Sequence, residues 1–382
     1  MANFETLCVH PLGKEKEFAD SVTSPIFPSV AYNYLDSDEL QYPGFYSNYN
    51  QKRLGRIIAE LENGVWGMVF SSGMAAISTA ILSFVQHNDH IIFSRDLYGG
   101  TWKFAEQELV KRNIKFSYAE NTLDSFQSVL TDRTRLIYIE TPANPLLNIV
   151  PLKQIAGLAK KHGIITVVDN TFASPINQQP ILHGIDMVVH SGTKYLGGHN
   201  DLPFGALVSN HQQHKEQILS TAKMYGGSLA PYQCYLVEHS LKTLAIRIQQ
   251  QNKNALAIAG YLAQHSAINR VYYPGLASHP EHVLASEQMK GFGGVLSFEL
   301  DASPEDIIVF LKSLSVIQPA LSLGGVESLI CSPAATSHKG LTGTQRSHLG
   351  IRDNLLRLSV GIEHANDLIT DLQQAISKAL GK

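Results

Sequence analysis

His190-Ser191-Gly192-Thr193-Lys194-Tyr195-Leu196-Gly197-Gly198-His199-Asn200-Asp201 follows an apolar run, Met187 to Val189. A buried strand stops there, and a tight turn of small hydroxyl and glycine residues presents one lysine. Burial is costly for an ammonium and lowers its pKa, which suits an amine that must be unprotonated to attack a carbonyl. On its own, Ser-x-Thr-Lys reads more simply as a surface lysine in a polar turn.

A second stretch separates the two readings. Gly163-Ile-Ile-Thr-Val-Val-Asp169-Asn170 reads as a buried parallel strand ending in a carboxylate. In open parallel sheets ligands sit beyond the carboxyl ends of the strands, so Asp169 and Lys194 are expected to be neighbours there. Ser191 and Thr193 add hydroxyls that can reach a phosphate. A lysine, a phosphate cradle and a carboxylate that keeps a pyridine nitrogen protonated are together what pyridoxal 5'-phosphate requires. A strand-end aspartate alone would more simply be a helix cap or half of an ion pair.

Six segments then carry a resemblance: Ser71-Ser-Gly73-Met74-Ala-Ala, Asp96-Leu-Tyr98-Gly-Gly-Thr101, Glu140-Thr-Pro-Ala-Asn144-Pro, Val168-Asp169-Asn170-Thr171, Ser191-Gly-Thr-Lys194-Tyr and Arg357-Leu-Ser-Val-Gly-Ile-Glu363. In this order they resemble the Cys/Met-metabolism (transsulfuration) family of pyridoxal-phosphate enzymes, from about Thr6 to the C-terminus. That family includes cystathionine γ-synthase, the cystathionine β- and γ-lyases and methionine γ-lyase. The resemblance implies an α/β, fold-type I transferase: a mostly parallel, doubly covered sheet, a smaller C-terminal α/β domain and an extended N-terminal arm. It also implies a homotetramer, a dimer of dimers.

The resemblance assigns roles residue by residue. Lys194 would carry the cofactor, Asp169 and Thr171 would serve its ring, and Asn144 would contact the ring hydroxyl. Gly73, Met74, Ser191 and Thr193 would hold the phosphate, the first two through backbone N–H groups at a helix start. Tyr98 would stack on the ring and assist proton transfer. Arg357, a guanidinium in an apolar run, would take the substrate carboxylate, with Ser322 in the same loop. Taken alone, Asn144 reads as a turn former, Tyr98 as a core cover and Arg357 as half of a structural ion pair. Two departures stand out: Leu321 replaces an acid found in many γ-lyases acting on cystathionine, and Tyr42-Pro43-Gly44 replaces the Tyr-x-Arg by which the arm reaches a neighbour's cofactor phosphate.

At 382 residues, 44% hydrophobic and 16% charged, the chain is long enough for two domains, and its sparse charge suits surface buried between subunits. A net charge of −3 gives no case for nucleic acid or an anionic membrane. No apolar run approaches the roughly 20 residues of a membrane helix, and the start Met-Ala-Asn-Phe-Glu-Thr-Leu lacks the pattern of a secretory signal. Cys8, Cys234 and Cys331 lie far apart, as reduced thiols of a cytoplasmic protein do. Neither they nor the histidines show metal-ligand spacing, so no metal is expected.

Residues 1–50 are rich in Pro, Tyr and Phe without a period, which fits a surface loop or an arm lying on another subunit, and the resemblance implies the arm; 51–245 read as the cofactor-binding domain and 246–382 as the C-terminal domain. The pattern Leu54, Ile57, Ile58, Leu61 predicts a helix from Gln51 closing at Gly64. Strand-like runs then alternate with helical ones, which predicts an α/β sheet. Tyr232 to Leu262 reads as one long helix, weakened by the polar run Gln249 to Asn254. Ser303-Pro304-Glu305-Asp306 predicts a capped helix start.

Overall fold

The computed structural model describes residues 3–12, 21–37, 39–336, 339, 342, 346 and 349–381. Seven strands form the larger sheet: β1 (Trp66–Phe70), β2 (His90–Ser94), β3 (Lys115–Ala119), β4 (Thr134–Glu140), β5 (Ile165–Asp169), β6 (Met187–Ser191) and β7 (Gly205–Ser209). Their order is β1-β7-β6-β5-β4-β2-β3. Every pair is parallel except the two made by β7.

The alternation along these strands explains why the sheet is covered twice. Val167, Met187 and Val189 pack on one face with Ile77 and Ala80 of the helix Gly73–Leu82. Val188 packs on the other, with Leu54, Ile57 and Ile58 of the helix Tyr49–Leu61. Each fully buried side chain of this size contributes roughly 1.5–3 kcal/mol relative to exposure. With both faces apolar, the polar ends of β4, β5 and β6 are left to build a site at their carboxyl edge.

The helix Tyr49–Leu61 starts two residues before the predicted Gln51, because Asn48 and Gln51 form a capping box. Its left-handed closing residue is Asn63, φ 59°, not Gly64. Gly64 serves packing: a Cβ there would lie 2.1 Å from Val208 Cγ1.

The long helix predicted over Tyr232 to Leu262 is two, Pro231–Leu241 and Leu244–Gln264. The break exposes the Ser240 carbonyl, which accepts from buried Arg247 Nη2 at 3.0 Å. The polar run in the second helix does not weaken it. Gln251 Nε2 donates to Gly325 O at 2.7 Å, and Asn254 Nδ2 donates to Glu363 O at 2.7 Å, fastening the helix to the C-terminal part of the chain. Residue 246 lies in the first turn of this helix.

Five further strands, β8 (Ile268–Tyr272), β9 (Val295–Leu300), β10 (Gln318–Pro319), β11 (Leu329–Cys331) and β12 (Leu355–Ser359), form a second sheet in the order β10-β11-β12-β9-β8. The helices Pro304–Ser313 and Ala365–Ala379 share its core through Phe310, Leu368, Leu372 and Ile376. Ser303 and Asp306 form the expected capping box.

Residues 24–28 of the arm are pinned by side chains. Asn50 accepts from Phe27 N at 2.9 Å and donates to Pro25 O at 2.8 Å, while Ser24 donates to Glu238. Beyond that anchor Val30, Tyr34, Leu35 and Leu40 stand exposed, each with more than half of its surface open.

Candidate active site

The carboxyl edge of the large sheet opens into a cavity of about 430 Å³. β6 ends in Ser191 and the turn after it contributes Thr193 and Lys194; β5 ends in Asp169, with Thr171 two residues on; β4 ends in Glu140, and the turn after it contributes Asn144. Gly73 and Met74 enter from a helix start, Tyr98 from the loop after β2, and Leu321, Ser322 and Arg357 from the C-terminal part of the chain. Eleven of the twelve residues singled out from the sequence therefore meet in one place. The twelfth, Tyr42, lies on the arm, half-exposed and edge-on to Phe45, outside this chain's own cavity.

Lys194 Nζ donates to Ser322 Oγ at 2.9 Å. Burial, reinforced by the nearby Arg357 guanidinium, pushes its pKa down to about 8. A sizeable neutral fraction near physiological pH is what a nucleophilic amine needs.

Asp169 is buried and accepts from Thr171 N at 3.0 Å, from the Thr171 hydroxyl and from Tyr138 OH at 3.2 Å. Thr171 Oγ1 in turn accepts from Ser191 N at 2.8 Å, tying the strand-end carboxylate to the lysine turn. Burial raises the Asp169 pKa, and the Thr171 hydrogen bonds oppose that rise.

The opposite wall is Arg357, buried on β12. Nη1 donates to Asn144 Oδ1 at 2.9 Å, Nη2 donates to Ser322 O at 3.0 Å, and Nε has no partner. Among the described residues it pairs with no carboxylate. A buried guanidinium served only by neutral acceptors is poorly compensated, so this geometry suits an incoming anion better than a structural ion pair.

The helix Gly73–Leu82 is capped by Ser72, whose Oγ accepts from Ala75 N at 3.1 Å. The N–H groups of Gly73 and Met74 are left for a ligand, at the positive end of the helix dipole. Glycine is required at 73, because a Cβ would lie 2.8 Å from Ser191 Cβ. Thr193 is committed elsewhere: its hydroxyl accepts from Phe204 N at 3.0 Å and donates to Phe204 O at 3.2 Å. A phosphate contact would compete with those bonds, whereas Ser191 Oγ has no hydrogen-bond partner among the described residues.

Tyr98 is held by its backbone, N donating to Glu140 Oε2 at 2.6 Å. Its ring lies over Gly100, where a Cβ would come within 2.4 Å of Cε1. Glu140 stands in one of the six motif segments without a role, and Phe172, Leu323 and Thr336, which also line the cavity, are not singled out by the sequence at all. Glu140 was findable: it ends a strand, as Asp169 does.

A family model described as Cys/Met metabolism PLP-dependent enzyme matches residues 5–377. The chain belongs to that family and is a pyridoxal-phosphate-dependent enzyme of cysteine and methionine metabolism. It is 40% identical to a cystathionine β-lyase of Lactococcus lactis subsp. cremoris (strain MG1363), over 99% of this chain and 100% of that one. A cystathionine γ-lyase structure from Lactobacillus plantarum, complexed with L-serine, superposes with a TM-score of 0.94 at 37% identity, over 99% of this chain and all of that one. A cystathionine γ-synthase structure from Xanthomonas oryzae pv. oryzae, in complex with cystathionine, gives 0.95 at 38%, over 100% and 99%. The cavity fits the cofactor: a buried lysine, a strand-end carboxylate and a glycine-floored helix start face one space.

Proposed function

We propose that this enzyme eliminates the β or γ substituent of a sulfur amino acid such as cystathionine or methionine, as a carbon–sulfur lyase. The observation that carries this is the composition of one cavity: the lysine amine, the Asp169 carboxylate and a guanidinium with no carboxylate partner. Bound there, the cofactor supplies an electron sink for charge developing at the substrate α carbon.

Lys194 would hold the cofactor and its amine would move protons at the substrate α carbon and, for a γ substituent, at the β carbon. Asp169, fixed by Thr171, would serve the ring nitrogen, and Asn144 the ring hydroxyl. Gly73, Met74 and Ser191 would hold the phosphate, and Thr193 would join them by giving up its bonds to Phe204. Tyr98 would cover the ring and protonate the leaving group, and Arg357 with Ser322 would take the substrate carboxylate. Leu321, Leu323 and Phe172 line the cavity with apolar surface, which supports a less polar substrate end, as in methionine, over the charged distal end of cystathionine.

The exposed apolar arm supports self-association into a dimer of dimers, with Tyr42 reaching a neighbouring subunit's phosphate site. No described helix is long and apolar enough to cross a membrane, and the three buried free cysteines support a reducing, cytoplasmic setting.

A second reading, γ-replacement on an acylated homoserine with cysteine, is supported by the similarity to a γ-synthase, close to that to the lyases. Purified enzyme incubated with cystathionine, methionine, or acylated homoserine plus cysteine separates them. Homocysteine and pyruvate mean β-elimination; cysteine and 2-oxobutyrate mean γ-elimination. Net cystathionine synthesis selects the second reading. Borohydride reduction followed by peptide mapping should label Lys194, and a label elsewhere sinks both.

A further inference from the structure

Among the described residues, Glu140 is the one carboxyl lining the cavity without a role in the reading above. It ends β4 as Asp169 ends β5, and the two are register partners on adjacent parallel strands. Such strands lie roughly 4.8 Å apart. Tyr138, two residues before Glu140 and so on the same face, donates to Asp169, which puts both carboxyls on one side of the sheet. Both are at least 95% buried. Two carboxyls this close and this dry do not both ionise.

The donors decide where the charge stays. Asp169 has three, Thr171 N, the Thr171 hydroxyl and Tyr138 OH. Glu140 has the Tyr98 N–H at 2.6 Å, and the Asn144 backbone faces it. A neutral acid accepts from a backbone N–H through its carbonyl oxygen as well as an anion can, so the Tyr98 contact does not require charge.

We propose that the Glu140–Asp169 pair carries one negative charge, held on Asp169, and that Glu140 is a neutral positioning acid fixing the Tyr98 loop over the cavity. The electrostatics agree: burial first, then the Asp169 charge, push the Glu140 carboxyl well above the usual carboxylate range. Asp96 adds to that push, and the Tyr98 and Asn144 backbones oppose it. The other charged or titratable groups facing the pair are Tyr138, His190, Lys194 and Arg357. One buried anion, not two, then meets the ring nitrogen. That consequence rests on the role given to Asp169 above; the charge state of Glu140 does not.

Infrared difference spectra of the purified protein at neutral pH test the charge directly. Wild type minus Glu140→Gln should show loss of a carboxylic-acid carbonyl band, and wild type minus Asp169→Asn loss of carboxylate bands; the reverse assignment in either overturns the proposal. The positioning role has its own readout. Glu140→Ala should lower kcat/KM at least tenfold, and Glu140→Gln, which keeps an acceptor for Tyr98 N, should recover most of it. The pH midpoint of the lysine-bound cofactor absorbance should stay near the wild-type value in Glu140→Gln, whereas removal of a real anion would lower it by roughly a unit or more. A Gln variant as impaired as Ala, or a midpoint lowered that far, overturns the neutral acid. A colourless wild-type protein would instead sink the cofactor roles while leaving the infrared result standing.

Discussion

Replacing Lys194 by Met in the cofactor-free protein should stabilise it at neutral pH. The folded chain holds this lysine at about 8 against an ordinary 10.5, through burial and through Arg357. Between those values the unfolded chain binds more protons than the folded one, so this contribution to stability rises with pH through that window and is most unfavourable below it. The gap corresponds to roughly 3 kcal/mol at ~1.4 kcal/mol per pH unit. Methionine keeps the length of the side chain and removes the charge, but gives up the bond to Ser322 Oγ, a loss of about 1 kcal/mol. The net gain at pH 7 is therefore about 2 kcal/mol, or about 2–3 °C in Tm for a chain of this size. Thermal unfolding of wild type and Lys194→Met should be compared at pH 7 and at about pH 11, where the unfolded lysine is also neutral and the gain vanishes. Taking the difference between the two proteins cancels every other titration. A variant less stable than wild type at pH 7, or a difference that does not change with pH, would refute the depressed lysine.

Arg357→Ala should raise KM by the equivalent of roughly 1.5–3 kcal/mol, with the cofactor absorbance retained, since the guanidinium has no carboxylate partner to strand; loss of folding would mean it is structural. Gly73→Ala should weaken cofactor binding at least tenfold while far-ultraviolet circular dichroism stays unchanged, because its Cβ meets Ser191 and not the helix itself; unchanged affinity in a cofactor titration would move the phosphate elsewhere. Gly44→Arg should change cofactor affinity by less than roughly tenfold, because its Cβ falls 2.7 Å from the ring of Tyr42 and would displace the arm residue proposed to reach a neighbour's phosphate. A hundredfold tightening would show that only the missing charge matters.

How much of this was legible beforehand depended on the kind of signal. Strands buried on both faces are short apolar runs, so β4, β5 and β6 were readable to within a residue or two, and their polar ends marked the site. Lys194 and Asp169 were readable because both residue types are out of place at the end of such a run. Glu140 fits the same description, but its meaning lies in the register with Asp169, a long-range fact that no local pattern carries. Gln251 and Asn254 misled the helix reading for a related reason: buried amides that fasten one part of a chain to another look, in one dimension, like a solvated face. The left-handed turn after Leu61 went to Asn63, since Gly64 was needed for close packing on Val208. The Glu62–His190 pair, at 2.6 Å and fully buried behind the site, joins residues far apart in the chain and leaves no sequence period at all.

Gly44 also shows what the arm gave up. Its φ is not in the left-handed region, so no backbone need explains the glycine; the space its absent side chain leaves is filled by the Tyr42 ring folding back. The nearby cations are committed, Lys52 to Glu39 and Arg53 to Glu238. Among the described residues, the proposed phosphate side of the cavity has neutral donors, the N–H groups of Gly73 and Met74 and the hydroxyl of Ser191. Neutral hydrogen bonds are about half as strong as charge-assisted ones, so the helix dipole must carry more of the anion's stabilisation here than it would beside an arginine, and the dipole acts only within the first turn. That makes the fit at Gly73 more exacting, and it is why a single added methyl group there is expected to cost more affinity than the addition of a whole arginine at Gly44 can restore.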